Sequence, residues 1–152
     1  MTIHSYDVVV SWSGGGAAGG TGRRTHGLVS ADGPDPLAVA ADPALGGDPD
    51  RWNPEQLLVS ALSTCHMLVY LHLCRRRGVE VIGYTDRPHG ELAIDRDGGR
   101  FTEVTLAPSV IVTDPMMMDE AVRLHGVAHN ACFIAKSVNF PVRHRPTVSV
   151  GL

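Results

Sequence analysis

Charge of either sign is scarce in this sequence, cysteine is scarcer, and no apolar run is long and unbroken. Each shortage excludes a class of protein. The 13 Lys and Arg against 16 Asp and Glu leave a net charge of −3, and the only basic run is Arg75-Arg76-Arg77. There is no electrostatic footprint for a polyanion, so nucleic acid is not an expected partner. The longest apolar stretch, Leu57 to Leu73, is interrupted by Ser60, Ser63, His66 and His72, which are costly in hydrocarbon, so no membrane span is expected. Residues Met1 to Asp7 carry neither a basic region nor an apolar core; a cleaved signal peptide is not expected, and the expected compartment is the cytosol. The three cysteines, Cys65, Cys74 and Cys132, cannot all pair within one chain, and structural disulfides are rare in a reducing compartment. Any bond between two of them is expected to belong to a reaction cycle.

What is present suffices for a core. Apolar residues make up 43% and charged residues 19% of the chain, which excludes wholesale disorder. A length of 152 residues fits a single domain, 1–152. Ser5 to Trp12 alternates through Tyr6, Val8, Val10 and Trp12, the period of a strand. A glycine-rich loop, Gly14 to Gly22, follows, then short extended segments Thr25 to Ser30 and Leu37 to Ala40 around the turn Asp32-Gly33-Pro34. Asn53-Pro54-Glu55-Gln56 is a helix start: Asn53 can cap, Pro54 suits the first position, and Gln56 completes a capping-box spacing. Apolar residues at spacings of three and four carry that helix to Arg75-Arg76-Arg77-Gly78, where the arginines complement the helix end and Gly78 fits a left-handed stop.

Val79 to Asp95 and Phe101 to Thr113 read as two long strands joined by the turn Asp97-Gly98-Gly99. A helix is expected from about Pro115 to Val127, a short one from Cys132 to Val138, and a last strand from Val142 to Val150. Strands, long helix, hairpin, helices, strand is an α+β order, with antiparallel sheet packed on a long central helix. That helix is apolar around most of its girth, and a partner subunit is the simplest source of the missing cover.

Cys65 lies on the apolar stripe of the central helix, where a small buried hydrophobe is as good a reading as a nucleophile. A reactive thiolate needs a cation or donors beside the sulfur. His66 projects about 100° away around the helix, so Arg23 or Arg24, whose charge cannot be lost, is the better candidate. Glu55 is ten positions from Cys65, about 15 Å along a helix, too far to act as its base. It can hold an arginine, but on the residues alone a favourable first-turn charge worth about 0.3–1 kcal/mol is the better explanation. Cys132 is expected to open the short helix, where unpaired amides lower a thiol pKa. Cys74 reads as structural. Cys65, His66, His72 and Cys74 match no common zinc spacing, so no metal is expected.

Asn53-Pro54-Glu55-Gln56-Leu57-Leu58, then Ala61-Leu62-Ser63-Thr64-Cys65-His66-Met67, then Ala128-His129-Asn130-Ala131-Cys132, resemble the OsmC/Ohr family of hydroperoxide reductases. Tyr70-Leu71-His72-Leu73-Cys74 and Cys132-Phe133-Ile134-Ala135-Lys136-Ser137-Val138-Asn139-Phe140-Pro141-Val142 are similar to one OsmC-like subgroup. The resemblance implies an OsmC-like fold, an intertwined homodimer, and a peroxidase that reduces organic hydroperoxides or hydrogen peroxide without a cofactor. Under it Cys65 matches the attacking cysteine, Cys132 the resolving one, Glu55 the carboxylate that orients an arginine, and Arg24 that arginine. A dithiol, lipoyl-type or small, is the implied reductant. Where the family commonly has Pro-Tyr-Ser after the second cysteine, this chain has Phe133-Ile134-Ala135. Two rival readings use the same residues: a module binding a small hydrophobic ligand, and a redox sensor that forms the disulfide without turnover.

Overall fold

The structure is a computed structural model that describes residues 1–12 and 27–151. The expected glycine-rich loop therefore lies outside the described residues, as do Arg23 and Arg24. The chain divides into two compact units, Met1–Leu58 and Val59–Leu152.

In the first unit, β1 (Val9–Trp12), β2 (Gly27–Ser30) and β3 (Leu37–Val39) form an antiparallel meander. The expected first strand is cut short, because Val9 pairs with Ser30 and the chain turns away just beyond, through Gly33 at φ +106°. Tyr6 and Val8 are left exposed, outside the strand. Ala40 N–H donates to Trp52 O at 2.9 Å, delivering the chain to Asn53. The capping box forms as the spacing predicts: Gln56 N–H donates to Asn53 Oδ1 at 2.7 Å and Asn53 N–H to Gln56 Oε1 at 3.2 Å, so two amides without helical partners are satisfied reciprocally.

The central helix, α1, runs Pro54–Arg77. It stops where Gly78 adopts φ +72°, and Val79 N–H closes back onto Cys74 O at 2.9 Å, the left-handed cap that glycine accepts without strain. By length and composition α1 could cross a membrane, with a mean hydropathy of 1.7 over its most apolar window. Yet its buried residues, Leu62, His66, Tyr70 and Cys74, recur every four positions, and two of them hydrogen-bond α2. One row of side chains faces the rest of the second unit.

The second unit contains β4 (Val81–Asp86), β5 (His89–Asp95), β6 (Gly98–Leu106), β7 (Pro108–Val112), α2 (Met118–Ala131), β8 (Val142–His144) and β9 (Thr147–Val150). Each of the three long strands expected from the sequence is broken in two. The breaks fall at Pro88, at Ala107 just before Pro108, and at Pro146, and proline cannot donate to a ladder. The halves sort into two three-stranded sheets, β4-β7-β9 and β5-β6-β8, each with one antiparallel and one parallel pair. Asp86, at one break, accepts Ala107 N–H at 2.7 Å on one oxygen and Ser63 Oγ–H of α1 at 2.5 Å on the other. The tight turn of the hairpin is Arg96-Asp97, one residue earlier than expected, with Gly98 at φ +124° opening β6 opposite Asp95. The short helix expected from Cys132 is only a 3-10 turn, Ala135–Ser137.

Two apolar clusters fill this unit. Leu62 meets Val104 and Leu106 in one; Tyr70 and Cys74 meet Val110, Val112, Leu124 and Ala128 in the other. Between them on the α1 row stands His66.

Removing the cap tests how α1 begins. Asn53→Ala should lower unfolding stability by about 1 kcal/mol, read as a shift in urea midpoint, with Asn53→Asp losing much less; equal losses in both would show that the capping bonds are not what Asn53 contributes.

Candidate active site

Cys65 sits one position off the buried row of α1 and is partly exposed. Cys132 ends α2 rather than opening a helix: it is the C-cap, its N–H donating to His129 O at 3.3 Å. The expectation of a lowered Cys132 pKa is therefore overturned. Cys132 is 1% exposed, and burial pushes its thiol up to about 11, the adjacent Cys65 thiol adding to the rise. The Ala135 amide, 3.5 Å from the sulfur, and that of Ile134 pull the other way without cancelling it. Both cysteines are free thiols, and the two side chains are neighbours although they come from different helices. Cys74 is buried on the far part of α1, its thiol raised by desolvation although its contact with Tyr70 lowers it.

Glu55 lies in the first turn of α1, in the first unit. Its Oε2 is buried and meets no hydrogen-bond partner among the described residues. A buried carboxylate oxygen is costly unless a donor satisfies it. Arg24, the donor implied by the resemblance, falls outside the described residues, as does Arg23.

His66 points away from Cys65, as its helical position requires, and into a cluster that sequence reading missed. Its Nε2 lies 3.0 Å from Nδ1 of His125, both rings being wholly buried. His125 stacks on Tyr70 at 3.8 Å between centroids, and Tyr70 donates its hydroxyl proton to Ala121 O at 3.1 Å. His144 lies 5.9 Å from His66 and 5.0 Å from His129. Desolvation lowers His66 to about 4, with His144 and His129 pushing further down and Asp86 opposing. Desolvation, then His66 and His144, lower His125 to about 3. These imidazoles are neutral at physiological pH, so His66 supplies no cation to the neighbouring thiol. His66 Nδ1, His125 Nε2 and His129 Nδ1 are buried and meet no hydrogen-bond partner among the described residues. Among the described residues no three His, Cys, Asp or Glu side chains form a group able to hold a metal ion. Two signals pointed to this cluster. His125 shares the apolar stripe of α2 with Ala121, Leu124 and Ala128, and His144 is on the same side of β8 as Val142.

A family model described as OsmC-like protein matches residues 47–146. No curated protein matches the chain. Among solved structures, an OsmC-like protein of unknown function from Vibrio cholerae is 28% identical with a TM-score of 0.84, covering 95% of this chain and 100% of that one. An organic hydroperoxide resistance protein from Elizabethkingia anophelis is 22% identical with a TM-score of 0.68, over 97% of this chain and 99% of the other. Another from Legionella pneumophila is 23% identical with a TM-score of 0.65, over 95% and 98%. At these two lower identities the likeness is one of fold.

Burial of neutral imidazoles sets an acid limit on stability. Below the ordinary imidazole pKa of 6.5 the unfolded chain binds protons that the fold refuses until about 4 at His66 and about 3 at His125. This contribution is complete above 6.5 and is lost as pH falls through that window, at up to about 1.4 kcal/mol per pH unit for each ring. Urea midpoints at about pH 7.5, 6 and 5 should fall in that order, and less steeply for His66→Phe; a flat profile in the parent would contradict the buried neutral rings.

Proposed function

This chain belongs to the OsmC-like protein family, and on that premise we propose that it is a cytoplasmic, thiol-dependent peroxidase that reduces organic hydroperoxides. The observation that carries the reading is the pairing of a partly exposed Cys65 thiol with a buried Cys132 thiol whose proton affinity is raised. The two are unequal in exposure: Cys65 is open to an incoming peroxide, and Cys132 is enclosed beside it. The Cys65 thiolate attacks the distal peroxide oxygen; an S–O bond forms, the O–O bond breaks, and the alkoxide leaves as alcohol after taking a proton. Cys65 is now a sulfenic acid. The Cys132 sulfur displaces its hydroxyl, which departs as water with the Cys132 proton, and a disulfide closes. An external dithiol gives two electrons and two protons to restore both thiols.

Arg24 stabilises the Cys65 thiolate, and Glu55 holds Arg24. The buried oxygen of Glu55, which meets no partner among the described residues, supports this, because a bidentate guanidinium satisfies such a group. Homodimerisation is part of the reading: Leu68, on the same side of α1 as Cys65, is 60% exposed, a large apolar residue for a second subunit to cover. The hydroperoxide resistance proteins among the structural relatives favour peroxide as the substrate class.

Cysteine variants separate the steps. Cys65→Ser should consume no peroxide; Cys132→Ser should react once and then over-oxidise at Cys65; Cys74→Ser should match the parent. Mass spectrometry after one equivalent of peroxide should find a Cys65–Cys132 disulfide in the parent, and a bond to Cys74, or none, would overturn the scheme. Arg24→Ala should slow alkylation of Cys65 at neutral pH by about tenfold or more, Arg23→Ala much less; equal reactivity in all three would remove Arg24 from its role.

A further inference from the structure

The peroxidase cycle uses the two cysteines and leaves the His66–His125 contact without a task. His66 follows Cys65 directly on α1, and His125 precedes Cys132 by seven residues, about two turns of α2. The apolar contacts between the helices, Tyr70 with Leu124 and Ala128, are non-directional and tolerate sliding. Two hydrogen bonds are directional: Tyr70 Oη to Ala121 O, and His66 Nε2 with His125 Nδ1. The second is the nearer to the cysteines along both helices. Each ring keeps its other nitrogen buried without a partner among the described residues, so the pair is a poor source of stability compared with two apolar side chains of similar shape. Its physical contribution is a fixed separation.

Disulfide closure is the step most sensitive to such a separation. It requires Cβ atoms about 3.5–4.5 Å apart and a defined torsion, whereas a peroxide diffusing to Cys65 makes no demand on α2. We infer that His66 and His125 are positioning residues, a hydrogen-bonded clamp between α1 and α2 that holds Cys132 within reach of Cys65 for closure. The inference rests on the proposed two-cysteine cycle for its biological use, but the clamp itself can be tested without peroxide.

The test follows closure from two starting points. In the first, reduced protein is mixed with one equivalent of tert-butyl hydroperoxide, and Cys65 sulfenic acid and Cys65–Cys132 disulfide are quantified against time by trapping and mass spectrometry. In the second, Cys65 is charged with oxidised glutathione, and Cys132 resolves the mixed disulfide, forming the protein disulfide and releasing glutathione. His66→Phe and His125→Phe keep a flat ring and lose the bond; both should close about ten- to a hundredfold more slowly from either starting point, with attack by peroxide changed far less. His66→Gln places an amide where the imidazole Nε2 stood and should recover most of the closure rate. That rescue separates positioning from packing, because glutamine fills the space worse than phenylalanine does. Closure at the parent rate in both Phe variants, or an equal loss in His66→Gln and His66→Phe, overturns the clamp. Where a Phe variant does not fold by circular dichroism, His125→Asn, which keeps an amide near Nδ1, is compared with His125→Ala by the same readouts. A parent that resolves glutathione normally but never forms a sulfenic acid with peroxide counts against the peroxidase reading and leaves the clamp standing on the second assay.

Discussion

A helix can turn only one row of side chains toward a given neighbour, and α1 turns Leu62, His66, Tyr70 and Cys74. The rest of the second unit follows from that choice. Leu62 seeds one apolar cluster and Tyr70 with Cys74 the other, so the polar His66 falls between them and must find a partner there. Cys65, a step around the helix, is kept off the row and remains partly exposed. Had the row shifted by one residue, the thiol would be buried and the imidazole exposed, with the roles of both inverted.

The sheets answer the same helix from the other side. Three prolines interrupt strands that would otherwise run through, and the amides stranded near the breaks are satisfied locally: Ala107 N–H by Asp86, and Arg145 N–H by Leu106 O at 2.8 Å. Asp86 also takes the Ser63 hydroxyl of α1. One carboxylate thus ties the break between β4 and β5 to the helix turn that precedes Cys65, and its charge opposes the downward push on His66. Fold and site meet at a single side chain.

What could be read from the sequence was local, and what could not was the consequence of burial. The capping box at Asn53, the stop at Gly78 and the length of α1 depend on a few neighbouring residues and were legible. The strand breaks were signalled by Pro88, Pro108 and Pro146, yet the alternation on either side ran on through each proline and concealed them. Cys132 was misjudged for a different reason. Helix-end amides were expected to lower its pKa, and two amides do act in that sense, but enclosure outweighs them, and enclosure has no sequence signature. His125 and His144 were passed over because an imidazole on an apolar stripe reads as an exception rather than as half of a pair.

The burial of Cys132 also bears on how an oxidised site is emptied. In thiol–disulfide exchange the incoming sulfur attacks whichever partner it can reach, and the other partner departs at a rate that falls as its proton affinity rises. Cys65 is the sulfur nearer solvent, so in the proposed cycle a reductant that attacks there would expel Cys132, whose high proton affinity makes it a poor leaving group. Accessibility and departure are set against each other. Within the proposed cycle the disulfide would thereby be shielded from casual monothiols, and a reductant able to hand a proton to the departing sulfur would have the advantage over one that merely carries more thiol.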